Sequence, residues 1–259
     1  MSVKLETSLA NDGEVIRSGN DGYLLKLPKL LDGKYGLAQV DDYMHLPRRQ
    51  FPHQPPLRVQ MEARVSKPEL PGTWGFGLWN DPFSFGFGGG GMARVFPALP
   101  NAAWFFYGSQ ENHLSLRDDQ PGSGFCAKTF RSPQLPSIVS LLAIPGLPFL
   151  LWPITARLLR RLARRLILED VTTLMVEVAK WHVYELLWRE DRVVFSVNQS
   201  TVLDTKISPQ GRLGLVIWID NQYFRFDTKG QMGFGFLEVP VEQWLEIRML
   251  SVTSLFPGG

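Results

Sequence analysis

The chain has 259 residues, of which 44% are hydrophobic and 20% charged, and it contains 24 Gly, 17 Phe and 8 Trp. This composition excludes intrinsic disorder and favours an aromatic, turn-rich β protein, which at this length fits one domain spanning 1–259. The formal net charge is +2, but without the five arginines between Arg157 and Arg165 it would be −3, from 22 basic and 25 acidic residues, so the basic character is local. A local basic patch suits an anionic surface and argues against an extended nucleic-acid interface.

The single cysteine, Cys126, excludes an internal disulfide bond. The N-terminal residues contain no apolar run that resembles a signal peptide. Both features predict a cytoplasmic protein, because disulfide bonds and signal peptides accompany secretion.

Short strand candidates follow one another along most of the chain. The clearest is 57–65, where apolar and polar residues alternate with the period of two expected for one buried and one solvated face. In 73–80, Gly75 and Gly77 alternate with bulky residues, which indicates that another backbone or a ligand approaches one face. The other candidates are 22–28, 35–43, 103–108, 113–117, 124–130, 173–178, 182–188, 192–198, 202–206, 213–219, 233–238 and 244–252. About a dozen strands at this spacing predict an all-β sandwich or barrel.

The segment 133–170 interrupts this series as an insertion that is first apolar and then rich in arginine. Residues 132–156 carry no charge, and the prolines at positions 136, 145, 148 and 153 leave no helix long enough to span a bilayer. Beyond them, Ile154, Leu158, Leu159, Leu162 and Leu166 share one helical stripe, which predicts an amphipathic basic helix. Such a helix lies in a membrane interface or packs across the sandwich with a solvated basic side. The residues predicted to meet a membrane or a partner are Leu141, Leu142, Phe149, Leu150, Trp152, Arg157, Arg160, Arg161, Arg164 and Arg165.

The sequence contains no strong motif for a phosphate-binding loop or a metal site. The glycine-rich stretch 83–91 is followed by Met92-Ala93-Arg94 and not by the Lys-Ser/Thr of a phosphate-binding loop. The four histidines show no metal-ligand spacing, so we predict no transition-metal site. A structural calcium site stays an alternative, because oxygen ligands that come from separate loops form no short sequence motif.

Four segments together resemble a known family. They are PPLRVQMEARVSKPELPGTWGFGLWN at 55–80, WHVYELLWREDRVVFSVNQSTVLDT at 181–205, and the later strands LGLVIWIDN and WLEIRMLSV. The pattern resembles the concanavalin A-like lectin/glucanase superfamily, most specifically the family 16 glycoside hydrolases. The resemblance implies a jelly-roll sandwich of two antiparallel sheets with a ligand groove on its concave face.

The sequence departs from that family where its catalysis resides. Family 16 enzymes carry a Glu-x-Asp-x-x-Glu strand, because two carboxylates about 5–5.5 Å apart attack the sugar and deliver the proton. The corresponding strand should fall between Trp79 and His113, where the only acidic residues are Asp81 and Glu111. We therefore do not expect retaining hydrolysis by the family route, although one acid, Asp81 or Asp220, could protonate or isomerise a hydrophobic substrate.

Some candidate binding residues lie at the ends of two glycine-flanked strands. The others belong to the strand that lacks the catalytic carboxylates of family 16. On the predicted concave face their rings and amides would converge on one groove, whereas turn formation or core packing is the alternative for each. They are Trp79, Asn80, Trp104, Phe106, Tyr107, Trp218, Asn221, Gln222 and Tyr223.

These observations lead to three hypotheses. In the first, the protein is cytoplasmic, associates peripherally with membranes, and binds a lipophilic or glycolipid-like small molecule in its aromatic groove. The second is a glycan ligand, bound or cleaved in the same groove. The third is a protein-interaction module, or an oligomer, that docks through the insertion.

Overall fold

The computed structural model describes residues 4–31, 33–82, 98–120, 122–134, 153–227 and 229–255, apart from the side chains of 153–156 and Leu159. The strands are β1 (Glu6–Ala10), β2 (Glu14–Ser18), β3 (Gly22–Leu27), β4 (Leu37–Asp41), β5 (Leu57–Val65), β6 (Thr73–Trp79), β7 (Ala102–Gly108), β8 (Gly124–Arg131), β9 (Leu168–Thr173), β10 (His182–Trp188), β11 (Val193–Val197), β12 (Ser200–Thr205), β13 (Gly214–Asp220), β14 (Gln222–Phe226), β15 (Met232–Phe236) and β16 (Gln243–Ser254). Helix α1 (Pro153–Leu166) lies in the connection from β8 to β9, and a short 3₁₀ helix covers Arg48–Gln50.

The strands form two large antiparallel sheets that pack face to face. The first sheet has the order β1-β4-β13-β6-β7-β8-β9, and the second has the order β12-β11-β10-β5-β16-β3-β2. Strands β14 and β15 make a separate two-stranded ribbon. This is the jelly-roll type of sandwich that the sequence predicts, so the predicted fold class is confirmed.

The main core lies between the two sheets. Strand β5 buries Leu57, Val59 and Met61 and turns the intervening polar residues outward, as its alternation predicts. The first sheet contributes large aromatic residues to the same core, among them Trp74 and Phe105. Burying such rings supplies much of the stability, at about 25 cal/mol for each Å² of apolar surface removed from water.

Several predicted strand positions differ from the observed ones. Residues 113–117 form a loop and not a strand, apart from a single bridge at His113. The strand expected at 173–178 is instead β9, which ends at Thr173, and β1, β2 and β14 were not predicted. Strands β3 and β4, which follow one another in the chain, lie in different sheets. The missed strands β1, β2 and β9 lie at sheet edges, where exposed faces weaken the apolar alternation that identifies a strand.

Helix α1 agrees with the predicted amphipathic helix in position. The apolar residues before it, Leu141, Leu142, Phe149, Leu150 and Trp152, lie outside the described residues, as does the glycine-rich stretch 83–91. Among the helices of the described residues, none has the length and apolar character needed to cross a membrane.

Candidate functional site

The outer face of the first sheet, which points away from the other sheet, carries a group of aromatic rings. Alternation along β6, β7 and β13 directs Trp79, Trp104, Phe106 and Trp218 to this face, and we call these four residues the aromatic cluster. The rings of Trp79 and Trp218 are nearly parallel, at 8°, with centroids 6.4 Å apart. The ring of Trp104 lies 5.6 Å from each of them, so three indoles that are distant in sequence meet at one place.

Two glycines of β6 make room for these indoles. A Cβ atom on Gly75 would lie 2.7 Å from the Cη2 atom of Trp218, and one on Gly77 would lie 2.5 Å from the Cα atom of Trp104. Gly77 also has a φ of +153°, which side chains rarely adopt. The glycine alternation therefore marks a close approach, as predicted, and the groups that approach include an indole of the cluster itself.

The three indole N–H groups differ in their partners. The Nε1 atom of Trp79 donates to the hydroxyl of Tyr43 at 2.6 Å, and that of Trp218 donates to Oγ1 of Thr73 at 3.0 Å. Among the described residues, the buried Nε1 atom of Trp104 has no acceptor. A buried donor without a partner costs about 1–3 kcal/mol, so this position favours a ligand or a water that brings an oxygen atom.

The cluster is largely shielded from solvent. Trp104 is 9% exposed and Trp218 8% exposed, whereas Trp79 is half-buried at the margin. Described residues that pack against this group include Tyr43, Phe51, Leu99, Leu114, Leu116, Ala163 and Ile167. The first sheet is thus covered on both faces, and Trp79 is the member of the cluster nearest to solvent.

The two candidate acids do not form a pair. The register aligns Asp220 with Thr73 and Gly214 with Trp79, so Asp220 and Asp81 lie near opposite ends of β6, about 20 Å apart at 3.3 Å per residue. Such a separation is too large for the two-carboxylate mechanism. On β7, the positions that face outward are Ala102, Trp104, Phe106 and Gly108, and none can supply a carboxylate.

Asp220 lies next to the cluster and is the more suitable of the two acids for proton transfer. Its Oδ1 atom accepts from Oγ1 of Thr73 at 2.7 Å, which links it to the indole N–H of Trp218 through one hydroxyl. Burial raises the pKa of Asp220 to about 7. Asp81 instead uses its backbone carbonyl to accept from Arg48.

A buried ion pair adjoins the cluster on β8 and β9. Lys128 is the cross-strand neighbour of Trp104, and its Nζ atom lies 2.7 Å from Oε1 of Glu169. Nζ also donates to the carbonyl of Leu114, and Oε2 of Glu169 accepts from the N–H of Leu116. The sequence predictions do not include this pair, although a lysine within the apolar strand 124–130 is a signal for it.

The remaining predicted residues take other positions. Tyr107 points into the core between the sheets, where its hydroxyl accepts from the N–H of Leu70. Asn80 joins the loop at Leu99 to the end of β6, and Asn221 uses its amide to hold the backbone at Lys34, Gly36 and Leu237. Gln222 and Tyr223 belong to β14 in the ribbon. These amides therefore organise loops, whereas Trp79, Trp104, Phe106 and Trp218 do meet.

Among the residues that the model describes, no group of three or more His, Cys, Asp or Glu side chains is placed to hold a metal ion. No family model matches the chain, and neither does any curated protein.

The chain is similar to family 16 glycoside hydrolases and to lectin-like domains. One solved structure is a glycoside hydrolase family 16 endo-glucanase from Bacteroides ovatus, with 9% identity, a TM-score of 0.46 and coverage of 93% of this chain and 85% of that chain. Another is a legume lectin-like domain from Entamoeba histolytica, with 10% identity, a TM-score of 0.47 and coverage of 97% and 90%. A sialidase is also similar, with 8% identity and a TM-score of 0.45, but this chain spans only 17% of its length while 97% of this chain is covered.

Proposed function

We propose that the aromatic cluster binds a glycan and that the protein acts by binding and not by two-carboxylate hydrolysis. The observation that carries the proposal is the buried, unpartnered N–H of Trp104 beside the rings of Trp79 and Trp218. Ligand sites typically combine aromatic walls with a few polar groups that fix orientation. A sugar has apolar ring faces that stack on indoles and oxygen atoms that accept hydrogen bonds, so it matches both features of the cluster.

Trp79 is the expected point of entry for the glycan. It is half-buried, while the rings behind it are nearly closed to solvent. Its N–H is held by the hydroxyl of Tyr43, which fixes the orientation of the ring before a ligand arrives. A ring fixed in advance loses little conformational entropy on binding.

The test compares two tryptophans, Trp104 and Trp74, whose indole N–H groups are both buried without a hydrogen-bond partner among the described residues. Trp104→Phe keeps an aromatic ring and removes the unpartnered N–H, and we expect about ten-fold or greater loss of affinity for the glycan probes that bind the wild type on an array of β-glucans and other oligosaccharides. Trp74→Phe is the matched control, because the Nε1 atom of Trp74 is also buried without a partner but lies in the core between the sheets. Equal affinity in wild type and Trp104→Phe, measured by calorimetry, would contradict the proposal.

The burial of Trp104 and Trp218 favours a second candidate, a lipophilic small molecule enclosed between the first sheet and its cover. The leucines at 99, 114 and 116 that pack against the cluster give that space an apolar lining. Native mass spectrometry of the purified protein, followed by organic extraction, distinguishes the candidates. A bound acyl or isoprenoid molecule together with an empty glycan array would replace the glycan proposal with this one.

A further inference from the structure

The outward surface of helix α1 carries a stripe of leucines that the proposed ligand site does not use. Leu158 is 64% exposed, Leu162 51% and Leu166 40%. These residues are four apart, so they form one continuous ridge along the helix, and we call them the leucine ridge. Exposed large apolar side chains are common singly, but an aligned row on a helix marks a surface that meets something apolar.

The opposite side of α1 is anchored to the protein through Arg160. This side chain is buried and donates to the carbonyls of Ser115 and Phe226, at 2.8 and 2.6 Å, and it pairs with Asp118 at 3.1 Å. Ile167, just after the helix, is buried in the packing around the aromatic cluster. The sequence predicts Arg160 on the outward basic surface, but in the structure Arg160 points inward, and this anchoring directs the leucine ridge toward solvent.

Arginines line the exposed surface next to the leucine ridge. Arg157, Arg161, Arg164 and Arg165 are all exposed, and Arg164 pairs with Asp118. Among the described residues, no ion-pair partner is seen for Arg161 or Arg165. In the sequence, no acidic residue occurs between Asp119 and Glu169. Within the described part of the chain, Asp118 pairs with Arg160 and Arg164, and Arg161 and Arg165 add positive charge to the exposed surface of the helix.

We propose that this helix docks the protein on an anionic phospholipid surface, with the leucine ridge among the acyl chains and the arginines at the phosphates. Amphipathic basic helices bind membrane interfaces through buried apolar area together with electrostatic attraction to anionic lipids. The stems of Arg161 and Arg165 are long enough for their guanidinium groups to reach the headgroups while the leucines insert. The inference is independent of the proposed glycan site.

A second copy of the chain fits this surface less well. A twofold dimer through the leucine ridge would bring the arginine row of one copy close to that of the other, and like charges would oppose the contact. An anionic lipid surface instead satisfies the leucines and the arginines at the same time. The charge pattern therefore favours lipid over self-association.

The experiment measures binding of the full chain to phosphatidylcholine vesicles with and without phosphatidylserine, by flotation at low and high salt. We expect binding only to the vesicles with phosphatidylserine, and weaker binding at high salt because salt screens the arginines. Arg161→Gln combined with Arg165→Gln should weaken binding about 20- to 30-fold at low salt, at about five-fold for each basic residue. Leu158→Gln combined with Leu162→Gln should weaken it about ten-fold or more.

The control variant combines Met249→Gln with Arg189→Gln, an exposed apolar and an exposed basic residue associated with the second sheet. It should bind as the wild type does. Both leucine positions are already exposed, so their replacement should leave the unfolding midpoint unchanged. Absence of binding by the wild type, equal binding to both kinds of vesicle, or an equal loss in the control would overturn the proposal. A dimer in light scattering that the leucine variant dissociates would overturn it in favour of a second copy.

Discussion

Breaking the buried ion pair beside the aromatic cluster should destabilise the protein strongly. Lys128 is 4% exposed and Glu169 1% exposed in their side chains, and their charged atoms are 2.7 Å apart. Lys128→Met leaves a buried carboxylate without its counter-charge, and Glu169→Gln leaves a buried ammonium group. Each single change should lower the free energy of unfolding by about 3–5 kcal/mol, a large part of the total of about 5–15 kcal/mol typical of a domain.

The double variant should recover much of this loss. With both charges removed, the introduced amide oxygen at position 169 can still accept from the N–H of Leu116, which Glu169 binds in the native protein at 2.8 Å. We expect the double variant to lower the free energy of unfolding by about 2 kcal/mol or less. The coupling energy between the two positions in the double-mutant cycle is then several kcal/mol. Unfolding in urea is followed by tryptophan fluorescence for the wild type, the two single variants and the double variant. The midpoint and slope of each curve give the four free energies of unfolding.

The exposed pair Arg192 and Asp204 provides the comparison. Its charged atoms are 3.0 Å apart, but both side chains are nearly half exposed, at 46% and 43%. Arg192→Met should therefore cost less than about 1 kcal/mol. If Lys128→Met costs no more than this surface variant, the burial argument is wrong and the pair is accessible to water in solution.

Three further predictions concern single side chains. Burial raises the pKa of Asp220 to about 7. Between about pH 4 and pH 7 the folded protein therefore retains a proton that the unfolded chain has lost. The contribution of Asp220 to the free energy of unfolding should fall by up to about 4 kcal/mol as the pH rises through that window. The wild type should lose stability relative to Asp220→Asn across this range in urea unfolding, and a constant difference would contradict the assignment. Gly75→Ala should destabilise by about 1–3 kcal/mol and alter the near-ultraviolet circular dichroism, because the added methyl meets the carbonyl oxygen of Phe105 and the ring of Trp218. Gly19→Ala costs about 1–2 kcal/mol through its positive φ of +67°, but its methyl meets no atom within 4 Å, so it should leave that spectrum unchanged. Cys126 is buried and its pKa is raised to about 11, so a disulfide reagent should label it only in denaturant, and rapid labelling of the native protein would refute this.

The sequence predicts the interior of the fold better than its edges. Alternation in 57–65 gives the exact bounds and the buried face of β5, because one side of this strand packs in the core and the other is solvated. Strand β9 follows α1 directly and exposes Leu168 at the sheet edge, so its pattern resembles the end of the helix. The two-sheet arrangement rests on many interior strands, which explains why these edge errors leave the predicted fold class intact.

The sequence predicts only part of the aromatic cluster's arrangement, for reasons of strand geometry. The sequence predicts Trp79, Trp104, Trp218 and Tyr107 on one face. The three tryptophans do meet, but Tyr107 points to the opposite face. Strand β7 is buried on both faces, so its sequence lacks the alternation that would separate Trp104 from Tyr107. The direction of Arg160 depends on the carbonyls of a distant loop and ribbon, and no local pattern in the helix indicates it.

The two sheets differ in what their outer faces meet, and this difference connects the two proposals. The outer face of the second sheet is solvated and carries cross-strand ion pairs such as Arg64 with Glu246 and Arg248 with Glu62. The outer face of the first sheet is covered, and Ala163 of α1 and Ile167 just after the helix belong to the cover. One helix thus helps to cover the aromatic cluster on one side and presents the leucine ridge on the other. Because Leu158 and Leu162 are exposed to solvent, Leu158→Gln with Leu162→Gln should leave glycan affinity unchanged in the absence of vesicles.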